Sequence, residues 1–221
     1  MIRRLALFAL LAGLLAGCAG RLTYTGPAVP AAQAGSVLLP YGLQAGWAHA
    51  LQALERHGYR ILQADPATAS ITLQVAGLPQ QYVDCGDVQS MVATGRDKIV
   101  RTYTFPAAAG QQTYEQLMRG NIYDVNRRMA LLSTVQVHLD AVGKAQTRAS
   151  VQVEYKLTRT VQIRNATQRD YPAITDTIAF TSKAQGRFPG FDKATRCVAT
   201  GQLEREILNA LQSGGQPQAA R

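Results

Sequence analysis

The chain has 221 residues, of which 47% are hydrophobic, with 23 Lys and Arg against 14 Asp and Glu and a formal charge of +9. This composition suits a globular chain of about one domain and excludes a low-complexity or wholly disordered one. Three Cys and three His without C-x-x-C or H-x-x-x-H spacing give no metal framework, and no G-x-S-x-G, H-E-x-x-H, P-loop or dinucleotide fingerprint occurs. The sequence therefore points away from an enzyme, a metal centre and a bound cofactor.

At the start, Met1-Ile2-Arg3-Arg4 is a basic segment followed by an apolar run from Leu5 to Leu15. The run is shorter than the ~18 residues that span a bilayer, so residues 1–17 read as a cleaved signal peptide. It ends in Leu15-Ala16-Gly17-Cys18, which resembles the lipobox of bacterial lipoproteins. The resemblance implies cleavage before Cys18, a diacylglyceryl group on its thiol and an acylated, palmitate-type amino terminus. Several chains matter, because one acyl chain binds a membrane only marginally. Ala19, where the enterobacterial inner-membrane retention signal has Asp, implies the outer membrane. Residues 18–35 are rich in Pro, Gly, Ala and Thr without apolar periodicity, and are expected to be the lipidated terminus and a flexible tether reaching roughly 55 Å at most. Loss of Arg3 and Arg4 with the signal leaves 21 basic against 14 acidic residues, a charge of +7.

With Cys18 lipidated, Cys85 and Cys197 remain in an oxidising compartment and are expected to pair; two buried free thiols are the alternative. Asp84 and Asp87 flank Cys85 and read as turn-forming carboxylates rather than a metal loop.

The folded part is expected to be one domain over 36–212. Ser36 to Leu39 reads as a short strand stopped by Pro40. Leu43, Trp47, Ala50, Leu51 and Leu54 recur at helical spacing up to His57, with Gly58 as a left-handed cap. Tyr59 to Leu62 and Ser70 to Ala76 read as strands joined through an Asp65-Pro66-Ala67 turn. Gly77 to Gln112 is the least legible stretch, although Lys98 to Phe105 alternates as a strand does. Thr113 to Met118 reads as one or two helical turns.

The strongest periodicity follows. Thr147, Ala149, Val151, Val153, Tyr155, Leu157, Arg159, Val161 and Ile163 alternate with polar residues, and Tyr123, Val125, Met129, Leu131, Val135, Val137 and Leu139 keep the same phase. Period-2 alternation of that length predicts one long antiparallel hairpin with a single buried face. A turn over Asp140-Ala141-Val142-Gly143 would pair Val135 with Ala149, Leu131 with Val153 and Met129 with Tyr155. Arg127 and Arg159 interrupt the apolar phase as diagonal neighbours. They form the candidate anion or partner site, against the alternative of a merely wet surface.

Ala173 to Thr181 reads as a last strand. A second helix is expected to follow, capped by Thr200, with Glu204 and Glu206 near its positive end and a stripe of Leu203, Ile207, Ala210 and Leu211. Residues 213–221 read as a disordered tail. His49, His57 and His138 have no carboxylate at ligand spacing and read as solvated or capping groups, and the Asn165-Ala166-Thr167 sequon carries little weight given the bacterial source that the lipobox resemblance implies.

The expected fold class is α+β, a mainly antiparallel sheet built on one long hairpin with both helices on one face. A strand, a helix containing Trp47, Gly58-Tyr59 and the Asp65 turn into a strand are together similar to the helix-grip domains of the outer-membrane assembly lipoprotein BamC, over about Ser36 to Val75. That resemblance implies a non-catalytic assembly or scaffold role, with an envelope protein as partner. The alternative is a module binding lipopolysaccharide or peptidoglycan through its positive charge. Nucleic acid is not expected in that compartment.

Overall fold

The computed structural model describes residues 19–28, 35–94, 99–189 and 194–213. The proposed signal peptide, Cys18, residues 29–34 of the expected tether and the tail from residue 214 lie outside them. In chain order the elements are β1 (Ala19–Thr25), β2 (Ser36–Leu39), α1 (Leu43–Arg56), β3 (Arg60–Asp65), β4 (Ser70–Gly77), α2 (Pro79–Tyr82), β5 (Val83–Asp84), β6 (Asp87–Ala93), β7 (Val100–Pro106), β8 (Gln111–Met118), β9 (Asn121–Val142), β10 (Gln146–Asn165), β11 (Ile174–Thr181), β12 (Gly186–Phe188), β13 (Thr195–Ala199) and α3 (Gln202–Gln212). The class is α+β, mainly antiparallel sheet.

Strands β9 and β10 pair antiparallel from Gln146 opposite Val142 to Asn165 opposite Tyr123. Each is flanked on its outer side by two strands placed end to end. Along β9 these are β8, facing Asn121–Arg128, and β4, facing Leu131–His138. Along β10 they are β2, facing Thr147–Ser150, and β11, facing Glu154–Val161. Strand β3 completes the sheet beside β4. The odd-numbered side chains from Val125 to Leu139 and from Thr147 to Leu157 are buried. Helices α1 and α3 contribute Ala50, Leu54, Leu203, Ile207 and Leu211 to the same core cluster, which also includes Val88 of β6 and Phe105 of β7.

The register differs from the expected one. Ala149 faces Leu139 rather than Val135, and the loop is Gly143-Lys144-Ala145, with Gly143 at φ +69°. Asp140 to Val142 extend the ladder instead of turning, and Gly143 takes the left-handed position at the loop's start. The displacement is an even number of residues, so every side chain keeps its expected face.

Three further expectations are corrected. Ala19 to Thr25, expected within a flexible tether, is a strand paired with β6 from Ala19 opposite Ala93 to Thr25 opposite Asp87. Its short Leu22, Tyr24 alternation and its Thr-Tyr-Thr run fit a pleated surface once β6 supplies the partner. Thr113 to Met118, expected to be helical, is most of β8, because the first half of β9 offers an open edge that pairs with it from Gln111 to Met118. The cap of α3 is also displaced: Gly201, at φ +73°, occupies the N-cap position, and Thr200 Oγ1 accepts from the Gln202 N–H at 3.3 Å. By contrast, α1 ends where Gly58 takes a left-handed φ of +76°.

Cys85 and Cys197 form a disulfide across 112 residues of chain, with both residues fully buried. Beside it β5 and β13 pair through Val198 and Asp84. Loops of this size are stabilised by closure by roughly 4 to 5 kcal/mol in the chain-entropy treatment.

Candidate functional site

The ladder places Arg127 opposite Val161 and Arg159 opposite Met129, so the two arginines are diagonal neighbours on the inward face of the sheet. That face is not wet. Arg127 is 5% exposed, its Nη2 donates to the carbonyls of Ala107 at 2.7 Å and Pro106 at 3.3 Å, and its guanidinium lies 5.2 Å from the Phe105 ring centre. Arg159 Nη2 donates to Asp176 Oδ2 at 2.7 Å and to the Pro189 carbonyl at 2.8 Å, and its guanidinium lies 4.6 Å over Phe188. The Nε atoms of both are buried without a hydrogen-bond partner. Burial lowers the Arg127 pKa most, the Tyr114 phenol opposes this, and the Arg159 charge adds to the lowering. An arginine nonetheless remains a cation at neutral pH.

The pair therefore comes together as expected but points inward and holds chain. Arg127 pins the bend after β7, and Arg159 clamps β11 and the segment after β12. An external phosphate or carboxylate would have to displace internal carbonyls, a carboxylate and two aromatic faces.

A second buried polar group was hidden in the sequence. Glu204, in the first turn of α3, is 2% exposed and accepts hydrogen bonds from the Tyr155 hydroxyl at 2.8 Å and from the Ser182 hydroxyl. Burial raises the Tyr155 pKa most, and the Glu204 charge and their hydrogen bond raise it further. The signal was present: Glu204 lies three, four and seven residues before Ile207, Leu208 and Leu211, on the apolar stripe itself. A carboxylate closed in by two hydroxyls ties α3 to β10 and to the end of β11.

The histidines are structural. His49 Nε2 donates to the Leu211 carbonyl at 2.9 Å, and His57 Nε2 meets Ser213 Oγ at 3.3 Å, so both fasten α1 to the end of α3. His138 lies between Ser70 Oγ at 3.2 Å and Asp140 at 3.1 Å. Asp84 Oδ1 accepts from the Gly86 N–H at 2.7 Å, as a turn-forming carboxylate should. Asn165 Oδ1 accepts from the N–H groups of Thr167 and Arg169 and from the Thr167 hydroxyl, so the sequon residues build the turn after β10.

Open depressions also occur among the described residues. One, of about 240 Å³, is lined by Thr134, Gln136, Gln152, Glu154, Thr181 and Lys183 on the polar phase of the sheet. Its hydroxyls, amides and single pair of opposite charges suit hydrated contact with another surface. Another, of about 360 Å³, lies by Tyr82 and Glu206, where Glu206 accepts from the Tyr82 hydroxyl at 3.1 Å and from Gln202 Nε2 at 2.8 Å. No group of three or more His, Cys, Asp or Glu able to hold a metal occurs among the described residues. No helix among them is long and apolar enough to cross a membrane.

Compared with known families, characterised proteins and solved structures, the chain matches none.

Proposed function

We propose that this chain is an outer-membrane lipoprotein, anchored through lipid on Cys18, whose periplasmic domain acts as a non-catalytic assembly or scaffold factor for other envelope proteins. The observation that carries the reading is the buried Cys85–Cys197 bond. It accounts for both thiols of the domain in a form that persists in an oxidising compartment, and leaves Cys18 of Leu15-Ala16-Gly17-Cys18 as the remaining thiol.

In this reading the long β9–β10 pair, with α1 and α3 on one of its faces, is a stiff frame, and docking occurs at the sheet margins. Strands β3 and β11 end the strand order of the large sheet. Each carries an exposed apolar residue, Leu62 on β3 and Ile174 on β11. Unpaired strand edges with apolar side chains suit the addition of a partner strand. The likeness of about Ser36 to Val75 to BamC helix-grip domains is what suggests an assembly role in this reading. Binding of lipopolysaccharide or peptidoglycan draws no support from Arg127 and Arg159, whose Nη2 donors already have internal acceptors.

The test is fractionation with lipid labelling. Wild-type protein should incorporate labelled palmitate and sediment with outer membranes, and in-cell crosslinking should capture a protein. Cys18→Ala should lose the label and leave the membrane fraction or accumulate as precursor. Unchanged membrane attachment without label would sink the anchoring, and capture of glycolipid alone would sink the scaffold role.

A further inference from the structure

The strand that begins directly after Cys18 has a second consequence for the domain. In the three-stranded sheet β1-β6-β7, residues opposite one another share a face. The row nearest Cys18 is Ala19, Ala93 and Val100, and the next is Arg21, Met91 and Thr102. Beyond these come Thr23, Gln89 and Thr104, then Thr25, Asp87 and Pro106. The face is thus apolar at the anchor end and polar away from it. At that end Val100 is 59% exposed, Ile99 50% and Met91 38%. The Thr94 N–H donates to the Ile99 carbonyl at 3.2 Å, which sets Ile99 at the end of the described β6–β7 ladder.

Covalent geometry fixes the distances. The Cα of Cys18 is within ~3.8 Å of that of Ala19. Val100 lies two strands away, so roughly 10 Å separates it from the anchor strand. Amphipathic helices at membranes rest with their apolar face some 5 to 10 Å into the boundary between headgroups and acyl chains, a depth on the scale of this separation. Strand β1 is not free to swing the domain away: Tyr24 is bonded to Arg196, and its far end abuts the Gly86 turn. Exposed Arg21 beside Met91, and Arg119 at the tip of the β8–β9 turn near β1, are placed to meet lipid phosphates. Leu117, two residues before Arg119, approaches Gly20 to within contact distance, which brings that turn to the same end.

We infer that the anchor end of the β1-β6-β7 sheet, with Val100, Ile99 and Met91 as its apolar contact and Arg21 and Arg119 as its phosphate contacts, rests on the surface of the bilayer that holds the Cys18 lipid. The domain is therefore held in one orientation on that surface. This inference rests on the lipid anchoring proposed above.

The probe is the full-length acylated protein in vesicles of phosphatidylethanolamine and phosphatidylglycerol, with and without brominated phosphatidylcholine as a quencher. Trp47, the one native Trp, follows Gly46, which packs on Thr147 beside the β9–β10 turn, at the opposite end of β9. It serves as a reporter remote from the lipid. Val100→Trp adds a reporter at the proposed contact, and Leu62→Trp adds one at another exposed position, on β3. The added emission of Val100→Trp should be at least halved by the brominated lipid and shifted to the blue, whereas wild type and Leu62→Trp should be little changed. Arg21→Glu combined with Arg119→Glu should reduce the quenching of Val100→Trp. Acylation confirmed by mass, together with absent quenching or equal quenching at Val100→Trp and Leu62→Trp, overturns the orientation and leaves the anchor standing. Protein without acyl mass overturns both.

Discussion

The hydroxyl of Tyr24 closes both backbone hydrogen bonds of Arg196, donating to its carbonyl at 3.1 Å and accepting from its N–H at 2.8 Å. One phenol thereby ties the first described strand to β13, far along the chain and one residue from the disulfide. Tyr24→Phe removes both bonds. Water reaches this site, so the cost should be only about 1 kcal/mol overall. The effect should be local: amide exchange across Ala19 to Thr25 should accelerate well above the rest of the protein. Unaltered protection in β1 would mean that pairing with β6 alone holds the strand.

Gly86 is the second fastening of β1. Its φ of +74° is left-handed, and a Cβ built there would stand 2.0 Å from the Thr25 carbonyl oxygen. Gly86→Ala should destabilise the fold by more than the ~1 to 2 kcal/mol that a left-handed backbone alone costs an L-residue, because β1 must also move. Thermal unfolding compared with Gly143→Ala, a left-handed glycine with open space around it, separates the two contributions. Equal losses would count against the close approach.

The disulfide gives a larger effect. Unfolding in urea with and without reductant, or of Cys85→Ser with Cys197→Ser, should show a loss of roughly 4 to 5 kcal/mol. Neither thiol of the wild-type domain should react with an alkylating agent before reduction. A loss below about 1 kcal/mol would mean that the reduced denatured chain is already compact near these residues.

Much of the fold was legible because side-chain phase is a local property. The odd residues from Val125 to Leu139 and from Thr147 to Leu157 are inward in the structure, as alternation alone requires. Register is less local. Asp140 with Gly143 and Gly143 with Ala145 both make sensible turns, and the sequence of the loop does not rank them. Strands β1 and β8 were missed because their pattern is short and their partners, β6 and β9, are supplied by tertiary structure. At the candidate site, sequence placed Arg127 and Arg159 side by side, but it held no sign of the carbonyls of Ala107 and Pro189 that occupy them. Glu204 was legible in principle, as a carboxylate on an apolar stripe.

Alkaline pH should unfold the protein through its phenols. Burial first, then the Glu206 charge, raises Tyr59 and Tyr82 from the usual value to about 12. Both are acids held neutral by the fold, so their contribution is complete below the unfolded pKa of ~10 and is lost as pH rises from there through about 12. Urea midpoints should fall steeply across that window. The fall should be shallower in Tyr59→Phe with Tyr82→Phe, which have no proton to lose there. An unchanged slope in the double variant would assign the alkaline loss elsewhere.

Arg127 and Arg159 make the last prediction, one of stability rather than binding. Arg127→Met should cost about 1 to 3 kcal/mol, because the carbonyls of Pro106 and Ala107 lose a charged donor, partly offset by removal of a buried Nε without a partner. Arg159→Met should cost a similar amount, since Asp176 keeps its charge in a half-buried setting without its 2.7 Å partner. Two like charges on diagonal positions of one buried face repel, so each single variant also relieves the other arginine. The relief is available only once. On that count alone the double variant would cost more than the sum of the singles, by roughly 0.5 kcal/mol or more. If instead the pair acts as one clamp over Phe105 and Phe188, the first loss loosens the second site and the double costs less than the sum. Their guanidinium groups bind different segments, Pro106-Ala107 for one and Asp176 with Pro189 for the other, which favours repulsion as the coupling. Urea unfolding of the four proteins decides it: a double loss smaller than the sum would sink the repulsive account, and singles as stable as wild type would return the arginines to the surface role that their sequence first suggested.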